Sequence, residues 1–158
     1  MSDEIQLTHI QSGPALEEIR RLFLEYARSL DFNLCFQDFE KELEELPGKY
    51  GLPGGRLILC EVEGKPAGCI ALKPLEPGVC ELKRLFVRPE FRRRRLGVHL
   101  AEYIIKEAQG LGYSVMRLDT IRGTMDGAIA LYESLGFREI PPYYGNPIPN
   151  ACYMELKL

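Results

Sequence analysis

Leu85-Phe86-Val87-Arg88-Pro89-Glu90-Phe91-Arg92-Arg93-Arg94-Arg95-Leu96-Gly97-Val98-His99-Leu100 reads as a strand that runs through a basic loop into a helix. The β-type run from Cys80 to Val87 stops at Pro89, which has no N–H to give to a ladder. Past the arginines, Val98, Ala101, Ile105 and Ala108 recur at helical spacing with Leu100 and Ile104 beside them, and Gly110 and Gly112 close the helix. A loop entering a helix N-terminus offers unpaired backbone N–H groups and the positive end of the helix dipole, so the junction predicts a phosphate or pyrophosphate site. Gly97 admits close approach of backbone to an anion, and the guanidinium groups add charge-assisted bonds. Between positions 83 and 95 there are seven basic residues (Lys83, Arg84, Arg88 and Arg92 to Arg95) against one acid, Glu90, in a chain of net charge −3. Such a local reversal requires a bound anion or a solvated face.

Upstream, Ile5 to Ile10 predicts a strand, and Ser12-Gly13-Pro14 supplies a capping hydroxyl and an early proline for a helix carrying Leu16, Ile19, Leu22, Phe23, Tyr26 and Leu30. A shorter helix with Phe36, Phe39, Leu43 and Leu46 on one stripe stops at Pro47-Gly48. Leu57 to Val62 and Ala67 to Leu72 form an antiparallel hairpin about Glu63-Gly64-Lys65-Pro66. Downstream come a strand from Ser114 to Asp119, a helix from Met125 to Leu135 capped by Thr124, and strands at Phe137 to Ile140 and Tyr153 to Leu158. This order predicts an α/β fold: a mixed, mostly antiparallel central sheet with helices on both faces.

With 158 residues and 46% hydrophobic content, the chain predicts one domain spanning 1–158. It has no apolar run of eighteen residues, and its start, Met1-Ser2-Asp3-Glu4, is acidic, so the expectation is a cytoplasmic protein without a membrane span. Five cysteines (Cys35, Cys60, Cys69, Cys80 and Cys152) contain no C-x-x-C pair, which predicts reduced core thiols and no metal site. A net-acidic chain with no other basic stripe argues against a nucleic-acid partner.

The junction resembles the R/Q-x-x-G-x-G/A signature of the GNAT superfamily of acetyl-CoA-dependent N-acetyltransferases. Arg92 matches its first position and Gly97 its last, while Arg95 stands at its first glycine. Ala130-Leu131-Tyr132-Glu133-Ser134-Leu135-Gly136-Phe137 is similar to the L-Y-x-x-x-G-F block of the same superfamily, and Arg92 and Tyr132 lie 40 residues apart. Met125 takes the place of an asparagine often found seven residues before that tyrosine.

The resemblance implies acetyl-CoA as cosubstrate, an amine acceptor, and in many such proteins a homodimer. It implies contacts to the cofactor from Leu85, Phe86 and Val87, and from Arg92, Arg93, Arg94, Arg95, Leu96, Gly97 and Val98, the pantetheine arm lying where the Cys80–Val87 and Ser114–Asp119 strands splay. Tyr132 falls beside the thioester sulfur, where a phenol of pKa about 10 serves a departing thiolate better by hydrogen bonding than by full proton transfer.

Glu81 alternates along its strand with Lys83, Leu85 and Val87 and is the candidate base, acting through water or with a raised pKa. Tyr143 and Tyr144, in the long Pro141–Asn150 connector, are candidate acceptor contacts, together with Phe32, Phe36 and Tyr50. The acids Asp38, Glu40, Glu42, Glu44 and Glu45 form a solvated helix face or attract a cationic amine. The reaction expected is direct attack of the amine on the thioester. The departures at Arg95 and Met125 give some support to a second reading, a non-catalytic acyl-CoA binder or sensor.

Overall fold

A computed structural model describes residues 4–30 and 38–158. In chain order the elements are β1 (Ile5–His9), α1 (Pro14–Ser29), α2 (Phe39–Glu45), β2 (Arg56–Val62), β3 (Lys65–Glu76), β4 (Val79–Val87), α3 (Leu96–Gly110), β5 (Val115–Ile121), α4 (Asp126–Ser134), β6 (Arg138–Ile140) and β7 (Ala151–Lys157). They build one seven-stranded sheet in the order β1-β2-β3-β4-β5-β7-β6. Every neighbouring pair is antiparallel except β4 and β5.

Two apolar clusters, one on each face, hold the layers together. Ile19, Leu22 and Phe23 of α1 meet Leu57, Leu59, Cys69 and Ala71 of the sheet. On the other face Leu96, Leu100, Ile104 and Ala108 of α3 meet Ile58, Ile70 and Leu72. The buried stripe of α3 is therefore turned from the one expected: Val98 and Ile105 are only half-buried, because Leu96 opens the helix and sets its phase.

Two caps also differ. Gly13 with a φ of 82° precedes α1 and no side chain caps it, so Ser12 has no capping role. Met125 precedes α4, and Asp126 instead accepts the Gly123 N–H at 2.7 Å. Phe36 and Phe32 lie outside the described residues. Gly68 marks the tightest strand approach: a Cβ there would stand 2.5 Å from the Phe86 carbonyl. Among the described residues, no helix is long and apolar enough to cross a membrane.

Candidate active site

β4 and β5 pair only from Val79 to Glu81, against Val115 to Arg117. Crevices beyond the carboxyl ends of adjacent parallel strands are the usual ligand sites of α/β sheets. Here the crevice is lined by Lys83, Leu85, Asp119, Thr120, Met125 and Tyr132, with Tyr26 of α1 closing it from the other layer.

A bulge in β4 shapes one wall. Arg84 has a φ of 60°, and the pairing slips there, so that Ala71 faces Lys83 while Cys69 faces Phe86. The extra residue reverses the side-chain alternation beyond it. Leu85 and Val87 therefore pack on the α3 face with Leu82, and Phe86 lies on the α1 face, its ring stacked 6.1 Å from that of Tyr26. This corrects the expectation that Leu85 and Val87 share a face with Glu81. The Arg88 N–H bonds to the Ala67 carbonyl at 2.8 Å, so alternation of the backbone turns the amides of Leu85 and Val87 toward the crevice, where among the described residues no strand partners them.

The basic run divides into separate roles. Arg84 is buried and bound to Glu42 through Nε and Nη2 at 2.9 and 3.0 Å, with its guanidinium 5.3 Å from the Phe39 ring. Arg88 grips Glu25 at 2.7 to 3.2 Å and donates to the Pro66 carbonyl. Neither faces the loop.

The consecutive arginines 92–95 do form the approach to α3. Arg92 Nε donates to the Val87 carbonyl at 3.1 Å, and Arg94 covers Phe91 at 5.6 Å. The first bond of α3 runs from the His99 N–H to the Arg95 carbonyl at 3.1 Å, so the N–H groups of Leu96, Gly97 and Val98 precede the helix ladder. They open on a shallow hollow that also holds Arg92, Arg93 and Leu131. The donor set fits a diphosphate.

Arg95 adopts the left-handed conformation (φ 59°, ψ 23°) immediately ahead of α3. That conformation costs an L residue about 1–2 kcal/mol, of which the extra unfolded-state freedom of glycine returns about 0.5–1. Arg95→Gly is expected to stabilise the fold by about 0.5–1 kcal/mol, raising the melting temperature by roughly 1–4 °C. A lower melting temperature would mean that the Arg95 side chain contributes more than its backbone costs.

Across the crevice lies a cluster that the charge pattern alone did not single out. Glu81 is 2% exposed; its Oε2 accepts the Tyr143 hydroxyl at 2.6 Å, and its Oε1 stands 3.4 Å from Lys73 Nζ. Asp119 Oδ2 accepts the Tyr144 hydroxyl and the Asn146 amide, the latter at 2.8 Å. Lys83 Nζ sits between the two carboxylates, 4.0 Å from Glu81 Oε1 and 3.9 Å from Asp119 Oδ1. Burial first and the charge of Arg84 second lower the Lys83 pKa, and Glu81 and Asp119 partly restore it. A second cavity, lined by Glu42, Lys73, Glu81, Lys83, Tyr143 and Tyr144, adjoins the crevice through Lys83 and Arg84.

Loop 141–150 is fastened in place by the rings of Tyr143, Tyr144 and Tyr153, 5.3 to 5.6 Å apart. Tyr153 Oη also accepts the Asn146 N–H at 3.0 Å and donates to the Tyr144 carbonyl at 2.7 Å. Tyr50 does not line this cavity; it is buried beside Phe23 with its hydroxyl on Glu42.

Tyr132 is 5% exposed and packs 5.5 Å from Phe137. Burial, then the charges of Tyr26 and Asp119, push its pKa well above 10, which keeps the hydroxyl protonated. Cys60, Cys69, Cys80 and Cys152 are free and buried, and Cys35 lies outside the described residues. Burial pushes the Cys60 and Cys80 thiols up to about 11 and 12, which leaves them poor nucleophiles. No group of three or more His, Cys, Asp or Glu among the described residues is placed to hold a metal.

The fold is shared with solved acetyltransferases. One from Streptococcus agalactiae superposes with a TM-score of 0.79 over 98% of both chains at 22% identity. The PaiA N-acetyltransferase of Thermoplasma acidophilum, solved in complex with coenzyme A, superposes with a TM-score of 0.73 over 98% of this chain and 99% of that one at 19% identity. In sequence, an uncharacterized N-acetyltransferase of Schizosaccharomyces pombe is 42% identical over 156 residues, 98% of this chain and 95% of the relative. The profile of the acetyltransferase (GNAT) family matches residues 16–137, and the chain belongs to that family.

Proposed function

We propose that this protein transfers the acetyl group of acetyl-CoA to the nitrogen of an amine acceptor in a ternary complex. The observation that carries the reading is the pairing of a crevice between β4 and β5, lined by Lys83 and Asp119 with Glu81 beside them, with a hollow over the N–H groups of Leu96, Gly97 and Val98 that begins at Val87, the end of β4. The backbone of Leu96, Gly97 and Val98, with the arginines 92–95 around it, would hold the diphosphate. The free amides of Leu85 and Val87 would pair with the pantetheine arm, and a backbone N–H of this segment would steady the oxyanion formed at the thioester carbonyl.

The acceptor enters on the Tyr143 and Tyr144 side. Its ammonium group loses a proton to Glu81, directly or through water, and the amine attacks the thioester carbon. The C–N bond forms, the C–S bond breaks, the nitrogen releases its second proton to solvent, and the Tyr132 hydroxyl donates a hydrogen bond to the sulfur that leaves as thiolate. Asp119 positions Tyr144 and Asn146 and shares the charge of the arriving amine. The buried, high-pKa cysteines support direct transfer rather than an acyl-cysteine intermediate.

A thermal melt tests the cofactor assignment. Acetyl-CoA at 100 times its Kd is expected to stabilise the fold by about 2.7 kcal/mol, a rise of roughly 5–11 °C. Gly97→Glu places a carboxylate where the diphosphate belongs and is expected to abolish the rise. A Cβ at Gly97 meets only the Leu131 Cδ2 at 3.5 Å, so Gly97→Ala keeps the fold and serves as the control. An unchanged rise in Gly97→Glu would remove the loop from the cofactor site.

A further inference from the structure

The acceptor cavity and the crevice it adjoins are together balanced in charge before any acceptor arrives. Glu81 in the cavity and Asp119 in the crevice contribute two negative charges; Lys73 and Lys83 contribute two positive charges within 3.4 to 4.0 Å of them. Glu42 and Arg84, which also line the cavity, neutralise each other in a bidentate pair. An uncompensated charge is expensive in such a setting, since the side chains of Glu81, Asp119 and Lys83 are 3%, 5% and 9% exposed. A plain cationic amine would leave the cavity one positive charge in excess, whereas an acceptor that brings its own carboxylate leaves the balance intact.

The geometry gives each end of such an acceptor a place. Lys83 and Asp119 line the crevice where the thioester is proposed to lie, so the amine belongs beside Asp119 and Glu81. Lys73 stands at the outer rim, its side chain 22% exposed and its ammonium group 3.4 Å from Glu81; once Glu81 has taken the proton of the amine, that ammonium group meets a carboxylate a few bonds away.

Resting on the acetyl-transfer reading above, we infer that the acceptor is a zwitterion, an amine carrying a carboxylate a few bonds from its nitrogen as in a free amino acid. The juxtaposition of Lys73 with Glu81 at the rim selects it.

The test is thiol release from acetyl-CoA by the full chain, with matched triplets built on alanine, methionine and phenylalanine. Each triplet holds the amino acid, its carboxamide and its decarboxylated amine. The acid form of at least one triplet is expected to show a kcat/KM at least tenfold above its carboxamide and amine. Lys73→Met is expected to bring that ratio toward one, chiefly through KM for the acid, and Lys73→Arg to restore it. Carboxamides or amines used as well as the acids would overturn the inference, as would a ratio unaltered in Lys73→Met. Acetyl-CoA melting, run in parallel, separates two failures. A melting rise without release from any amino acid sinks the zwitterion assignment alone, and the absence of a rise sinks the acetyl-transfer reading beneath it as well.

Discussion

Tyr132→Phe is expected to lower kcat and kcat/KM together by roughly ten- to a thousandfold while acetyl-CoA still raises the melting temperature as in the unaltered chain. A drop of that size corresponds to about 1.4–4 kcal/mol, the range for one hydrogen bond to charge that develops in the transition state. The two constants fall together because the sulfur becomes anionic only as the C–S bond breaks, so the ground state gains little from the hydroxyl. Among the described residues no hydrogen bond to the Tyr132 hydroxyl is seen, and burial holds it protonated, so in the proposed reaction it is available as a donor. The phenylalanine ring keeps the contact with Phe137, so the melting temperature without ligand stays close to that of the parent. Equal turnover in the two proteins, with chemistry shown to limit the rate, would return Tyr132 to the apolar packing of α4.

Much of this site could be read from the chain because its chemistry is local. A strand, a proline stop, an arginine run and a glycine in the next helix determine backbone N–H direction over about a dozen residues. No tertiary information is needed to expect an anion site there. The L-Y-x-x-x-G-F block is likewise one turn-and-a-half of helix and its stop, and its Tyr132 lines the crevice.

The proposed acceptor side could not be read so far. Lys73, Lys83, Glu81, Asp119 and Asn146 come from three strands and a loop, and only the sheet order brings them together. A signal for Asp119 was nevertheless present: an acid near the carboxyl end of a central strand otherwise rich in apolar residues, Val115-Met116-Arg117-Leu118-Asp119-Thr120-Ile121. The bulge at Arg84 left no such mark. Alternation read without it puts Leu85 and Val87 on the wrong face, because a positive φ at an arginine has no signature in composition.

Glu42→Ala is expected to destabilise the fold by about 3–5 kcal/mol, the usual cost of removing one member of a buried ion pair and leaving the other charge without it. For a chain of this length that is a fall in melting temperature of roughly 6–20 °C. Arg84 is 4% exposed and clamped by two hydrogen bonds to Glu42, which also accepts the Tyr50 hydroxyl at 2.8 Å. Its pKa is pushed further up by Tyr50 and Glu42 against the opposing effect of burial, so the guanidinium cannot escape the loss by shedding its proton. Much of the penalty comes from a buried guanidinium that has lost its carboxylate, so the double variant Glu42→Ala with Arg84→Met, which removes the charge as well, is expected to recover part of the loss. The same pair ties α2 to the bulged residue of β4, and the bulge sets which faces Lys83, Leu85 and Phe86 present. Turnover in Glu42→Ala, measured well below its melting temperature, is therefore expected to fall as well, through misplacement of the crevice wall. A single variant as stable as the parent, or a double variant no better than the single, would show that Arg84 is held by its packing on Phe39 and not by the charge of Glu42.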